Sequence, residues 1–393
     1  MTTNMSDQCR DFQESESSGG LILIFCTIFS LVVANSFLGD AYTGFWHIKV
    51  GFAAGGKILS YSIVHWINDG LMAVFFLMIG LEIERELYVG ELSDPKNAVL
   101  PIFAAVGGMA LPAFFHYLFN RGLETQAGIG IPMATDIAFA LGALSLLGRR
   151  APVSLKIFLT ALAIIDDLGA IIIIAIFYTG DFSLAYFLMA IGIFAGLLLL
   201  NRMGVHRLAF YLIPGVAMWF FMHESGVHAT ISGVLLAFVI PFARGVGSSP
   251  SNRLQRALHG PVAYVILPLF ALANTGIALS GDWAGGLAST NSMGILAGLF
   301  AGKPAGIFLL SFLAVKSGLA RLPGDLSWKH VLGAGFLGGI GFTMSIFITL
   351  LAFEDPELVQ ISKISVLLGS LLAGLAGLAI LRIFGRENDC QGG

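Results

Sequence analysis

Apolar runs follow one another along this chain, each near the roughly 20 residues that a helix needs to cross a bilayer. Twelve such segments are read near 19–38, 63–84, 98–119, 126–147, 157–178, 183–200, 208–222, 227–243, 260–280, 292–315, 330–353 and 361–384. Composition agrees: 56% of residues are hydrophobic and 11% charged, against about 25% charged in a soluble domain. The expected fold is therefore an all-α polytopic membrane protein. A polar cytoplasmic tail is expected over 1–18, without fixed structure, then one membrane domain over 19–385 and a second cytoplasmic tail over 386–393. The first run is read as a retained span rather than a signal peptide, because Asp7, Asp11, Glu14 and Glu16 flank it and no small-residue cleavage site follows Leu38.

Basic residues give an independent reading of the topology. With the N-terminus in the cytoplasm, sixteen of the 21 Lys and Arg fall in the tails and cytoplasmic connections, and four (Lys49, Lys57, Arg121, Lys363) fall outside. Such an asymmetry supports twelve spans with both ends inside, since a miscount by one would scramble it. Lys303 alone remains, within segment 10. A net charge of −3 and the absence of a basic patch exclude nucleic acid as a partner. Cys9, Cys26 and Cys390 form no disulfide or metal pattern and are read as inert thiols.

Charges at membrane depth are the departure that calls for a function. Asp166 and Asp167 interrupt "FLTALAIIDDLGAIIIIAIF", and an ionised Asp at a helix centre costs about 2.5–3.5 kcal/mol on insertion scales. A cation, a proton or a basic partner must accompany them, which points to a cation path. Segments 4 and 11 carry a second anomaly. "AGIGIPMATDIAFALG" places Gly128, Gly130 and Pro132 just before Thr135 and Asp136, and "GFLGGIGFTMSIF" places Gly335, Gly338, Gly339 and Gly341 before Thr343. Pro removes a backbone donor and Gly weakens a helix, so both segments are expected to break where they line a polar cavity. Close packing through small residues, as in "GKPAG" from Gly302 to Gly306, is the plainer alternative. Position favours breakage: segments 4 and 11 cross in opposite directions and are the middle members of triples 3–5 and 10–12, the pattern of an inverted repeat. Asp136 is then expected to offset helix N-terminal ends, and Lys303 the C-terminal ends.

The stretches "INDGLMAVFFLMIGLEIERELYVGEL", "MATDIAFALGALSLLG", "LKIFLTALAIIDDLGAIIIIAIFY", "SGVHATISGVLLAFVIP", "LHGPVAYVILPLFALANTGIAL", "GKPAGI" and "GGIGFTMSIFI" together resemble the NhaA-type bacterial sodium/proton antiporters, over nearly the whole chain. The resemblance implies a transporter rather than an enzyme, in the bacterial inner membrane, exchanging Na+ or Li+ for protons without a cofactor. It makes Asp167 the main cation ligand and Asp166 a second proton carrier able to pair with Lys303. Thr135 and Asp136 would belong to the assembly where the broken helices meet, Thr135 also facing the ion. "GFWHIKVGFAAGGKILSYSI" alternates apolar and polar residues and suits a short outside hairpin near 45–60, with a disordered loop as the alternative, and the resemblance implies a homodimer joined through it.

Other polar residues carry open alternatives. Asp69 in "HWINDGLMAV" either lines the exit path or anchors the interface. Glu82 and Glu86 beside Arg85 form either a pH-responsive entry funnel or a solvated helix end with local ion pairs. His228 and His259 suit pH response or structural hydrogen bonding. Arg253 lies in "ARGVGSSPSNRLQRALHG", which has no carboxylate, where strongly pH-regulated relatives carry acidic residues. Two rivals are weaker. An intramembrane aspartyl protease needs YD and GxGD signatures, which are missing, and a sodium-coupled solute symporter needs a pocket for an organic substrate.

Overall fold

The computed structural model describes residues 3–54, 57–180, 182–243, 249–279 and 283–384. Each apolar segment read from the sequence contains helix, though segment 8, read over 227–243, is α-helical only over Ile231–Val239. Among the described residues, seven helices are long and apolar enough to cross a membrane: Ile63–Tyr88, Pro95–Asn120, Val153–Phe177, Leu184–Arg202, Pro250–Asn274, Thr290–Lys316 and Pro356–Phe384. Counting each of three bent pairs as one span raises the number to ten. Segments 7 and 8 are shorter, with 16 residues in Ala209–Glu224 and 9 in Ile231–Val239.

Local chemistry explains where the helices begin. Asp94, Ser249, Ser289 and Ser327 each accept a hydrogen bond from a first-turn backbone N–H, and Pro95 and Pro250 occupy the first helical position, where no donor is needed. The first helix differs from expectation at both ends. It starts at Thr3, inside the polar leader, and stops at Ala34. Met, Gln, Arg and Glu in the leader are good helix formers and extend the apolar helix behind them. After Ala34 the chain turns by 120° into Gly39–Trp46. Gly39 is needed in that turn, because a Cβ there would strike the Ala34 carbonyl.

Chain contacts divide the protein into two compact units. The first contains Met1–Ile22, Glu91–Ala170 and Ser280–Gly393, and so holds segments 3, 4, 10, 11 and 12 with most of segment 5. Segments 3 and 10 approach backbone to backbone: a Cβ on Gly107 would meet the Gly306 carbonyl oxygen, and one on Gly306 would meet that of Gly107. Gly302 is likewise held against Pro112. Small residues in "GKPAG" therefore do pack closely, and this packing fixes the helix that carries Lys303. Gly306→Val should force the two helices apart at a cost of about 1–3 kcal/mol or more. A lowered melting temperature in detergent is the expected result, set against Gly192→Val, where a Cβ meets nothing within 4 Å.

The second unit contains Leu23–Gly90 and Ile171–Leu279. Its core joins Leu77 and Leu81 to Leu197, Tyr211, Met218, Met222 and Leu236 from segments 6, 7 and 8. Segment 6 leaves Leu184, Leu188 and Leu199 exposed on one apolar face. Strands Lys49–Ala54 and Lys57–Ser62 pair antiparallel, from Lys49 opposite Ser62 to Ala54 opposite Lys57. They form the hairpin expected near 45–60, with its turn at 55–56 outside the described residues.

Candidate ion site in the first unit

Segment 4 is helical in two pieces, Glu124–Met133 with 3-10 hydrogen bonding and Ile137–Ser145 with α bonding, bent by 41°. Ala134 and Asp136 between them are extended. Segment 11 breaks at Gly339–Gly341 between Trp328–Gly338 and Phe342–Ala352, with a 45° bend. Gly128, Gly130 and Pro132 weaken the first piece of segment 4, and Pro132 removes a backbone donor within it.

Breaking a buried helix exposes N–H and C=O groups that need partners. The two breaks supply many of them to each other. Asp136 N–H donates to the Ile340 carbonyl at 2.7 Å. The Asp136 carboxylate accepts from Phe139 N–H at 3.0 Å through one oxygen. Its other oxygen accepts from Thr343 N–H at 3.1 Å and from the Thr343 hydroxyl. One buried carboxylate thus faces the first turns of both second pieces, where the partial charge is positive. Ser370 Oγ accepts from Gly341 and Phe342 N–H at 3.2 Å, and Ser345 donates to the Ile131 carbonyl at 2.6 Å.

The C-terminal ends of the first pieces are met by donors. Lys303 Nζ donates to the Met133 carbonyl. Thr135 Oγ1 lies 2.6 Å from Asp166 Oδ2 and 2.9 Å from the Gly338 carbonyl oxygen, and its single proton can go to either. Lys303 Nζ also lies 2.9 Å from Asp166 Oδ2, with both side chains fully buried. A widened turn at Gly298–Gly302 delivers Lys303: its N–H bonds to the Gly298 carbonyl five residues back, and Pro304 follows without a donor. Asp167 is buried next to Asp166, near enough for its charge to act on Lys303. Asp166 Oδ1 is buried with no hydrogen-bond partner among the described residues.

Asp136, Thr135, Asp166, Asp167 and Lys303 are therefore brought to one place within this unit. Asp69, Glu82, Arg85, Glu86, His228, Arg253 and His259 are not; all belong to the second unit. There Arg85 pairs with Glu86 at 3.0 Å and with Glu82 at 3.7 Å. Arg253 is exposed on its helix, and His259 feels the charge of Arg85. His228 is hydrogen-bonded to the backbone of Tyr178. Arg244, in the loop that departs from the expected acidic pattern, lies outside the described residues.

One buried carboxylate escaped the sequence reading. Glu84 accepts a hydrogen bond from Ser251 at 2.8 Å, tying segment 2 to the start of segment 9. The available signal was a Glu two positions from both Glu82 and Glu86, and hence on a different helix face.

Two interrupted helices sharing a buried carboxylate, with an ion pair and a second acid beside them, are charged groups of the kind that membrane proteins keep at depth for a function rather than for packing alone. Residues 10–381 match the model of the Na+/H+ antiporter 1 family, and the chain belongs to that family. A Na(+)/H(+) antiporter NhaA of Dechloromonas aromatica is 57% identical over 393 residues, covering 99% of both chains. One from Flavobacterium psychrophilum is 59% identical over 94% of each, and one from Yersinia enterocolitica is 49% identical over 96% of this chain and 97% of its own. These relatives are named as transporters, not enzymes.

Proposed function

We propose that this protein exchanges cytoplasmic Na+ or Li+ for external protons across the bacterial inner membrane, in support of pH and sodium homeostasis. The observation that carries the reading is the buried Asp166–Lys303 pair beside Asp167, where the two broken segments meet. Lys303 supplies one positive charge against two carboxylates. A second monovalent charge, a proton or Na+, completes the balance, and the two compete for one place. Desolvation favours the protonated acid, whereas a bound cation or the ammonium favours the charged one. If only loaded forms change their facing, competition alone couples the two fluxes.

Asp167 is the principal ion ligand in this reading, Asp166 the second proton carrier, and Thr135 a neutral oxygen ligand. Asp136 and Lys303 hold the helix ends. When the proton-loaded form carries a proton on Asp166 as well as on Asp167, two protons exchange for one Na+ and the exchange is electrogenic; a potential of about 100 mV, inside negative, then contributes about 2.3 kcal/mol toward Na+ extrusion. Twelve spans in inverted repeats, both termini in the cytoplasm and a homodimer joined through the 45–60 hairpin complete the proposal.

The stretch from Arg244 to His259, helical from Pro250, has no acidic residue, and the Ser251 hydroxyl within it donates to Glu84 of segment 2. Competition at the aspartates should accordingly govern the pH response. In proteoliposomes with the potential clamped, half-saturating Na+ should fall steadily as pH rises, and saturating Na+ should recover most of the rate lost at mildly acidic pH. A maximal rate that collapses over a narrow pH interval even at saturating Na+ would require a separate switch and defeat this account. Failure of Na+ alone to move protons at any pH would defeat the function itself.

A further inference from the structure

The first turns of segment 2 gather a set of ligands that ion exchange at the aspartates does not use. His65 Nε2 lies 3.2 Å from Asp69 Oδ2, and His223 Nδ1 lies 3.6 Å from the same oxygen. One ligand atom from each of the three falls within 4.8 Å of the others. His65 and Asp69 are four residues apart on one helix, with the widened turn Trp66–Leu71 between and after them, and His223 comes from the last turn of segment 7. All three belong to the second unit.

The surroundings hold these groups in place. The Tyr61 ring stacks on the His65 imidazole at 4.4 Å, and Trp219 lies parallel to His223 at 6.0 Å. Tyr61 Oη is 3.3 Å from His223 Nε2, which leaves Nδ1 as the nitrogen turned toward Asp69. Trp219 Nε1–H donates to the Asp69 carbonyl at 3.0 Å, fixing the backbone that carries the carboxylate. The bond at the far nitrogen of His223 is the kind of second contact that orients a ligand and raises metal affinity. The side chains are partly exposed, at 36%, 24% and 21% for His65, Asp69 and His223, so an ion can enter from water and keep solvent ligands.

We infer that His65, Asp69 and His223 form a binding site for a first-row transition-metal dication of the zinc type, separate from the transported monovalent cation. Two neutral imidazoles and one carboxylate suit Zn2+, which takes nitrogen ligands near 2.0–2.1 Å and accepts water in a fourth position. Hard dications such as Mg2+ prefer all-oxygen sets and are disfavoured. Contraction of the three side chains by rotamer adjustment closes the shell, and the metal replaces the weak contacts that both imidazoles now make with one carboxylate oxygen.

The test is calorimetric titration of ZnCl2 into the full-length protein in detergent, purified without a histidine tag. One Zn2+ per chain is expected, with Mg2+ giving no saturable binding. Changes to groups outside the direct ligands already cost about 10–100-fold in affinity, so loss of a direct ligand in His65→Asn or His223→Asn should cost no less. His206→Asn, at an exposed histidine elsewhere, should bind as the parent does. Zn2+ should also raise the melting temperature of the parent and not that of the two variants. No saturable binding, or equal affinity in parent and variants, overturns the proposal. Should a variant fail to fold, Co2+ titration of the parent decides: imidazole-bound absorption supports the site, and a hydrated-ion spectrum rejects it. Each readout is independent of transport, so the metal site and the exchange function stand or fall separately.

Discussion

Asp167→Asn is expected to abolish Na+-dependent proton movement and Na+ binding while leaving a folded membrane protein. Asn keeps the size of the side chain and much of its hydrogen bonding, so the buried position next to Asp166 can still be filled. What it removes is the charge that must alternate between proton and cation. The remaining acid, Asp166, already shares Oδ2 with Lys303 and Thr135, and its charge is balanced by that lysine. A Na+ ion entering the variant would therefore meet a neutral cluster and give up its hydration without a compensating charge, which is prohibitive away from water. Calorimetry with Na+ and proton flux in proteoliposomes should both fall to background, with the melting temperature close to the parent's. Exchange retained at saturating Na+ would remove Asp167 from the transport site.

The breaks that build this place were readable from Gly128, Gly130 and Pro132 and from the glycines at 335–341, because Pro and Gly act on the backbone locally. The identity of each partner was harder. Asp136 was expected to face helix ends in general, but that one carboxylate spans Phe139 and Thr343 depends on two segments far apart in sequence. Hydropathy shows where a span lies and not how it is rotated, so the spacing that sets Glu84 on a different face from Glu82 and Glu86 does not say which face turns inward or that Ser251 meets it. The widened turns at Trp66–Leu71, Val262–Ile266 and Gly298–Gly302 were equally hidden, although Pro268 and Pro304 just after two of them show a cause in retrospect. The same holds for the His65–Asp69–His223 cluster. His65 and Asp69 have helical spacing, but His223 joins them only through the packing of segment 7, and a histidine in an apolar helix gives no sign of its neighbour.

Lys303→Ala should weaken the protein more deeply than a surface substitution, and in a way that depends on pH. Lys303 satisfies two groups at once, the Asp166 carboxylate and the Met133 carbonyl at the end of the first piece of segment 4. Breaking a buried ion pair by removing one member costs about 3–5 kcal/mol when the other must stay charged. Asp166 can escape part of that cost by taking up a proton, since burial favours the neutral acid once the ammonium is gone. The sign follows. At low pH the proton is plentiful and the loss is smaller; as pH rises the variant must either hold an unbalanced carboxylate or take up a proton that is increasingly scarce in solution. The difference in melting temperature between parent and variant should thus widen toward alkaline pH. Activity should shift the same way, because higher pH is needed to clear the proton from Asp166 before Na+ can compete. Lys303→Arg, which keeps the charge but not the compact ammonium geometry, should recover stability at alkaline pH more fully than Na+ affinity. A variant that melts like the parent at every pH and keeps its pH profile would show that the buried lysine neither balances the aspartate nor holds the broken helix.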